Sequence, residues 1–170
     1  RMNRNYTKED IKRVWSMIRE NIEESVIRTT VMVGFPGETE KAFEELLAFI
    51  EEYYFERLGA FTYYAEDGTI AKDFDDQISN EEKLRRFDLL MKKQKKISRK
   101  LNAKLLGKEL EVIIEGKNKN YYIGRSWREA PEVDSLILIE DKDSRMFKVG
   151  DKIRVRIKNY SAYDLIGELI

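Results

Sequence analysis

At 170 residues the chain is long enough for one domain or two small ones, and Lys+Arg and Asp+Glu both number 32, so the formal net charge is zero. This balance argues against a strongly basic nucleic-acid binder, and the absence of Cys and His excludes disulfides, thiolate catalysis and a metal site held by those residues. No apolar run reaches the length of a membrane span, so we expect a cytoplasmic protein without membrane contact.

The first hundred or so residues alternate between helical and strand patterns. A capping box at Thr7 and Asp10 opens a predicted helix, and the stretches Val26–Val33 and Leu58–Tyr63 predict buried strands with a helix between them. Another helix is predicted from Ser79 to about Leu105. Strands that alternate with helices form parallel sheets, so we expect an α/β domain over residues 1–106. Two strands cannot cover both faces of such a sheet, so either other elements complete it or the segment is the rear half of a barrel.

After Gly107 the hydrophobic pattern changes to a period of two residues. This period predicts five short strands, with the bounds Leu110–Glu115, Tyr121–Arg125, Leu136–Ile139, Ile153–Lys158 and Tyr163–Ile170. Five strands within about sixty residues predict a small all-β, antiparallel, OB-like barrel. We therefore expect a second domain over residues 107–170.

The segment Val33–Thr39 joins the first predicted strand to the following helix. Pro36 and Gly37 fit the central positions of a type II turn, which needs positive φ at the glycine, and Thr39 fits the N-cap of the helix. Free amides at a helix start can hold an anionic group. An ordinary strand–turn–helix connection explains the same residues, so both interpretations stay open.

The sequences RTT, from Arg28, and VGFPGET, from Val33, resemble a segment of the methylthiotransferases within the radical-SAM class. In that family the segment lines the mouth of a TIM-like barrel near S-adenosylmethionine. The resemblance thus implies a partial radical-SAM barrel here, with cofactor contacts from Arg28, Thr30, Gly37, Glu38 and Thr39. Arg28 and Thr30 share one face of an alternating strand, and the cofactor's carboxylate would suit the cation. A salt bridge from Arg28 to a neighbouring acid is the structural alternative.

The sequence GRSWREAPEVD, residues 124–134, mixes one large aromatic, two arginines and three carboxylates around a proline, which is typical of a recognition loop. With YDLIG, from Tyr163, it resembles the TRAM domain of the methylthiotransferases that modify an aspartate of a small-subunit ribosomal protein. The resemblance implies that the residues docking this protein are Arg125, Trp127, Arg128, Glu132, Asp134, Tyr163 and Asp164. The structural alternative is that Arg125 pairs with an acid across the barrel and Trp127 only covers the barrel's end.

Charge favours a protein over tRNA as the partner of this second domain. Lys108 to Ile170 contains 12 Lys/Arg and 12 Asp/Glu, so the domain has no net positive charge to release counterions from RNA. A basic ribosomal protein would instead meet the acids of the loop, and Trp127 would supply an apolar anchor.

The resemblance implies an enzyme that uses S-adenosylmethionine and two [4Fe-4S] clusters to add a methylthio group to the β-carbon of an aspartate. This chain has no cysteine to hold either cluster, so we expect it to be inactive alone. It opens at Arg1 directly before a helix, which favours a piece of a longer protein. Part of a tRNA methylthiotransferase and a stand-alone, non-catalytic binding module remain the alternatives.

Overall fold

The computed structural model describes residues 1–140 and 146–170, which form two compact units. Unit 1 comprises Arg1–Gln94 and unit 2 comprises Lys95–Ile170. The end of the last predicted helix belongs to unit 2 and contacts its β-barrel. The side-chain amide of Asn102 donates to the carbonyl oxygen of Tyr163 at 3.1 Å. Within the described ranges, no helix is both long and apolar enough to cross a bilayer.

Unit 1 alternates helices and strands in the predicted order. Its elements are α1 (Lys8–Asn21), β1 (Arg28–Val33), α2 (Glu40–Glu52), β2 (Arg57–Thr62), a 3-10 turn (Ile70–Asp73) and the start of α3 (Asn80–Ala103). β1 and β2 pair in parallel, with Arg28 opposite Arg57 and Val33 opposite Thr62. The parallel pairing is confirmed, whereas the 3-10 turn was not predicted.

The helices of unit 1 begin where the side chains supply caps. Thr7 and Asp10 form the predicted capping box, in which the Thr7 Oγ accepts the Asp10 amide at 3.3 Å. Thr39 caps α2 by accepting the Ala42 amide at 3.1 Å, which confirms the predicted start of this helix. These caps satisfy amides that have no partner inside the helix.

One face of the β1–β2 sheet is open. Val33 and Leu58 are buried on one side, whereas Arg28, Thr30 and Phe61 are exposed on the other. Two strands are described in this sheet, so the described part of unit 1 does not form a closed barrel. The open face therefore has an apolar residue, Phe61, beside polar ones.

Unit 2 contains a closed five-stranded barrel in the order β3-β4-β5-β7-β6. Its strands are β3 (Glu109–Lys117), β4 (Tyr121–Arg125), β5 (Ile137–Glu140), β6 (Lys152–Tyr160) and β7 (Leu165–Leu169). Burial alternates along these strands as the period of two predicts. The inward residues form one apolar core that includes Val112, Ile114, Tyr122, Ile137, Ile139, Val155, Ile157 and Leu165.

The prediction of a wholly antiparallel barrel was wrong. β5 and β7 run parallel, with Ile137 opposite Leu165, and the other four neighbouring pairs are antiparallel. The reason is topological, because strand direction cannot alternate all the way round a ring with an odd number of members. Closing five strands into a barrel forces at least one parallel pair, so the barrel is mixed.

Gly124 on β4 provides a test of barrel packing. A Cβ added there would lie 2.6 Å from the carbonyl oxygen of Ile113 and 2.6 Å from Cγ1 of Val112. We expect Gly124→Ala to lower the free energy of unfolding by about 1–3 kcal/mol, measured by urea titration. Gly116→Ala on β3 is the matched control, because nothing lies within 4 Å of its added Cβ. Equal losses in both variants would contradict this packing.

Candidate functional site

The turn after β1 has the predicted geometry. The Glu38 amide donates to the Phe35 carbonyl oxygen at 2.9 Å, and Gly37 has a φ of 81°, so Phe35–Glu38 is a type II turn. The Gly37 amide donates outward to the carbonyl oxygen of Asp76 at 2.9 Å. The Asp76 carboxylate also pairs with Arg1 at 2.6 Å, directly over Gly37. An added Cβ at Gly37 would meet only the ends of these two exposed side chains, which can shift, so glycine is required here for its positive φ.

Glu38 anchors the turn to α3 through a buried ion pair. The Arg86 guanidinium donates to Oε1 of Glu38 at 2.6 Å and to Glu82 at 2.7 Å, and the Gly34 amide donates to the same Oε1 of Glu38 at 3.1 Å. Burial lowers the pKa of Arg86, but its hydrogen bonds to Glu38 and Glu82 outweigh burial and raise the pKa overall. The hydrogen bond from Arg85, with a smaller one from Arg86, lowers the pKa of Glu82 to about 2. The hydrogen bonds from Arg86 and Gly34 show that the Glu38 carboxylate holds the turn in place.

The five residues predicted to contact the cofactor fall into two groups. Arg28 and Thr30 lie at the start of β1 on the open face of the sheet, and Gly37, Glu38 and Thr39 lie beyond its end. At a rise of about 3.3 Å per residue, Arg28 lies roughly 17 Å from the end of β1 at Val33, and Thr30 lies about 10 Å from it. A single carboxylate therefore cannot contact both ends of the strand.

Two further polar side chains lie at the end of the strands and were missed by the sequence analysis. Lys83 projects from α3 and places its Nζ 5.2 Å from the centre of the Tyr63 ring. The sequence feature that could have identified Lys83 is its position, because it is a lysine at the helical spacing of the apolar residues of α3. The side chains of Lys83 and Tyr63 are both buried.

In unit 2, the β4–β5 loop (residues 126–136) is folded by its own polar groups. The Glu129 carboxylate is buried and accepts the amide and the hydroxyl of Ser126 at 2.9 and 2.7 Å. The Ser126 Oγ in turn accepts the Arg128 amide at 3.2 Å. Glu129 is one of the loop acids predicted to meet a basic partner, but its carboxylate instead closes the first half of the loop.

A second carboxylate folds the other half of the loop. Asp134 accepts the Ala130 amide at 2.8 Å, and its own amide donates to the Ala130 carbonyl oxygen at 3.2 Å. The chain turns back at Glu132, which has a φ of 61°. Asp164, directly before β7, accepts the Leu136 amide at 3.1 Å. Asp134 and Asp164, both predicted docking residues, hold the backbone of the loop.

The loop presents an aromatic side chain to the outside. Trp127 is 58% exposed, and the Arg128 guanidinium lies 5.3 Å from the centre of its ring. Glu132 is exposed at the turn, and Tyr163 is 47% exposed. Trp127, Glu132 and Tyr163 are therefore the predicted docking residues whose side chains reach the surface.

An acidic cleft of about 450 Å³ lies within the loop region of unit 2. Arg125 lines this cleft and pairs with Glu115, which lies on the neighbouring strand β3. The other charged side chains lining the cleft are those of Glu129, Glu132 and Asp134. Four carboxylates against one cation give the cleft a negative charge. No group of carboxylates able to hold a metal ion was found across residues 1–140 and 146–170.

Comparisons with known proteins cover both units. Residues 106–170 match the TRAM domain family. The chain is 66% identical over 170 residues to "Ribosomal protein uS12 methylthiotransferase RimO" of Dictyoglomus thermophilum, covering 100% of this chain and 39% of the relative. The protein of the same name from Clostridioides difficile is 44% identical over 99% of this chain and 38% of its own length. This chain thus spans less than half the length of these curated relatives.

Among solved structures, the apo form of Mycoplasma genitalium RNase R matches with 18% identity and a TM-score of 0.32. The match covers 58% of this chain and 21% of the RNase R chain. The likeness is too low to support an inference about fold or function.

Glu129→Ala tests whether the buried carboxylate folds the β4–β5 loop. Its loss leaves the Ser126 amide without an acceptor, so we expect the free energy of unfolding to fall by about 1–3 kcal/mol. Hydrogen exchange at the Ser126 amide should accelerate in the same variant. The control, Glu132→Ala, changes an exposed acid of the same loop and should stay within about 0.5 kcal/mol. An unchanged exchange rate at Ser126 in Glu129→Ala would disprove this role.

Proposed function

Because this chain belongs to the RimO family of ribosomal protein uS12 methylthiotransferases, we propose that it forms the substrate-docking part and one wall of the cofactor site in such an enzyme. The enzyme adds a methylthio group to the β-carbon of an aspartate in a small-subunit ribosomal protein. Unit 2 captures the protein, and unit 1 carries the cofactor contacts.

The observation that carries the docking role is the fixed shape of the β4–β5 loop. Its two halves are closed by Glu129 and Asp134, so Trp127 is held outside without a large loss of loop entropy on binding. Tryptophan is enriched among the residues that dominate interface energies. The loop thus offers a preorganised aromatic anchor.

The charge of the cleft supports a basic protein as the occupant beside that anchor. Glu115, Glu129, Glu132 and Asp134 outnumber Arg125, which complements lysine or arginine side chains of a ribosomal protein. The same charge repels a phosphate backbone, so we propose this protein rather than tRNA as the partner. In this assignment Arg125, Asp134 and Asp164 position the loop, Trp127, Glu132 and Tyr163 form the contact surface, and Arg128 packs against the Trp127 ring.

For unit 1 we propose that S-adenosylmethionine lies against the open face of the sheet, where Arg28 and Thr30 are exposed. The turn at Gly37 and Glu38, with the N-cap Thr39, shapes the other end of that wall. Two [4Fe-4S] clusters would be held by residues outside this chain, and one of them would supply the electron for reductive cleavage of the cofactor. This chain offers no cysteine to either cluster, so it acts only together with residues that hold them.

Trp127→Ala in the complete enzyme should weaken capture of the ribosomal protein by roughly tenfold or more, because a central aromatic anchor is lost. Reductive cleavage of S-adenosylmethionine should continue at the parent rate. Pull-down and cleavage assays on the same preparation measure both properties. Ile70→Ala, at an exposed apolar residue of unit 1, is the control and should change neither. Parent-level capture by Trp127→Ala would rule out the anchor.

Arg28→Ala should weaken S-adenosylmethionine binding by roughly tenfold, because a charged hydrogen-bond donor is removed from the open face. Titration calorimetry on the complete enzyme gives the dissociation constant. Lys72→Ala, which breaks an exposed pair with Asp67, serves as the control for loss of a positive charge. Identical dissociation constants for Arg28→Ala and the parent would retire the assignment.

A further inference from the structure

The buried face of α3 carries two cations where apolar residues are usual. Lys83, Arg86, Leu90 and Gln94 follow one another at helical spacing, and all are less than 9% exposed. Lysine and arginine are rarely buried unless a partner compensates their charge. These two cations therefore need an explanation.

Carboxylates in the described part of unit 1 compensate the positive charge of Arg86, but none of them compensates the charge of Lys83. Arg86 pairs with Glu38 at 2.6 Å and with Glu82 at 2.7 Å. In contrast, no carboxylate among the described residues pairs with the Lys83 ammonium, which lies over the face of the Tyr63 ring. An aromatic face attracts a cation but supplies no negative charge.

The Tyr63 hydroxyl is the second polar group without a partner. Tyr63 is 7% exposed, and its hydroxyl is buried with no hydrogen bond to any residue in the described ranges. Phe35 packs edge-on against the Tyr63 ring at 5.2 Å, so one wall of this site is apolar. A buried hydroxyl without a partner costs free energy, as a buried cation does.

Both groups lie at the carboxyl end of the parallel strands. Tyr63 directly follows β2, and its amide donates to the carbonyl oxygen of Val33, the last residue of β1, at 2.8 Å. The stem of Lys83 packs on Gly34, where an added Cβ would lie 2.3 Å from Cγ of Lys83. In α/β folds, ligands bind at this end of the strands.

We propose that the Lys83 ammonium and the Tyr63 hydroxyl together bind a carboxylate of a ligand. A carboxylate supplies the missing charge to Lys83 and accepts a hydrogen bond from the hydroxyl. The inference rests on the proposed function, in which two ligands bring a carboxylate: S-adenosylmethionine and the target aspartate. Arg28 lies at the other end of β1 and cannot contact the same carboxylate.

Lys83→Met and Tyr63→Phe in the complete enzyme distinguish the two sources, because each removes the polar atom and keeps most of the volume. If the site holds the cofactor, both variants bind S-adenosylmethionine roughly tenfold or more weakly and bind decarboxylated S-adenosylmethionine like the parent. If it holds the target, cofactor affinity stays and binding of a substrate peptide weakens. In that case neither variant should lower the affinity for a peptide that has asparagine in place of the aspartate. Parent-like binding of cofactor and peptide by both variants would overturn the inference.

Thermal unfolding of the 170-residue chain gives a test that needs no ligand. Lys83→Met should leave the Tm unchanged or raise it, since it removes a buried cation that lacks a carboxylate. Arg86→Met, on the same helix face, should lower the Tm because it strands Glu38. A fall in Tm for Lys83→Met as large as that for Arg86→Met would show a purely structural lysine. If the parent enzyme binds neither ligand, the proposed function fails, and this comparison alone decides the role of Lys83.

Discussion

Pairing of buried charges is the constraint on which the shape of both candidate sites depends. Removing a carboxylate or cation from water is costly unless hydrogen bonds or an opposite charge replace the lost solvent. Glu56 meets this requirement through Arg19 at 2.8 Å, near the start of β2. Glu38 meets it through Arg86, which ties the turn after β1 to α3. Each pair joins segments far apart in the sequence.

In unit 2 the same constraint produces a preorganised surface. The Glu129 carboxylate lies inside the β4–β5 loop and accepts hydrogen bonds from Ser126. The Asp134 carboxylate accepts a hydrogen bond from the Ala130 amide. With its acids engaged in this way, the loop directs Trp127 outward. Because the loop is already ordered in the free protein, less conformational entropy is lost when a partner binds. A small barrel can offer a specific contact in this way.

Local features were predictable from sequence, as was the parallel pairing of β1 and β2, whereas the parallel β5–β7 pair and the burial of particular charges were not. The capping box at Thr7, the cap at Thr39 and the type II turn at Pro36-Gly37 depend on residues within four positions of one another, and all three are present. The parallel pairing of β5 and β7 depends on ring closure, which no single strand encodes. The burial of Glu129, and the lack of a carboxylate beside Lys83 among the described residues, depend on neighbours brought together only by folding.

The property we propose for unit 2 is recognition of a basic protein and not of RNA. The most direct test is to measure, side by side and in the same salt, the affinity of this chain for purified ribosomal protein uS12 and for tRNA. We expect saturable binding of uS12 that weakens in Trp127→Ala, with tRNA binding no stronger than that of an unrelated neutral protein. Tight, salt-sensitive binding of tRNA with none of uS12 would contradict it.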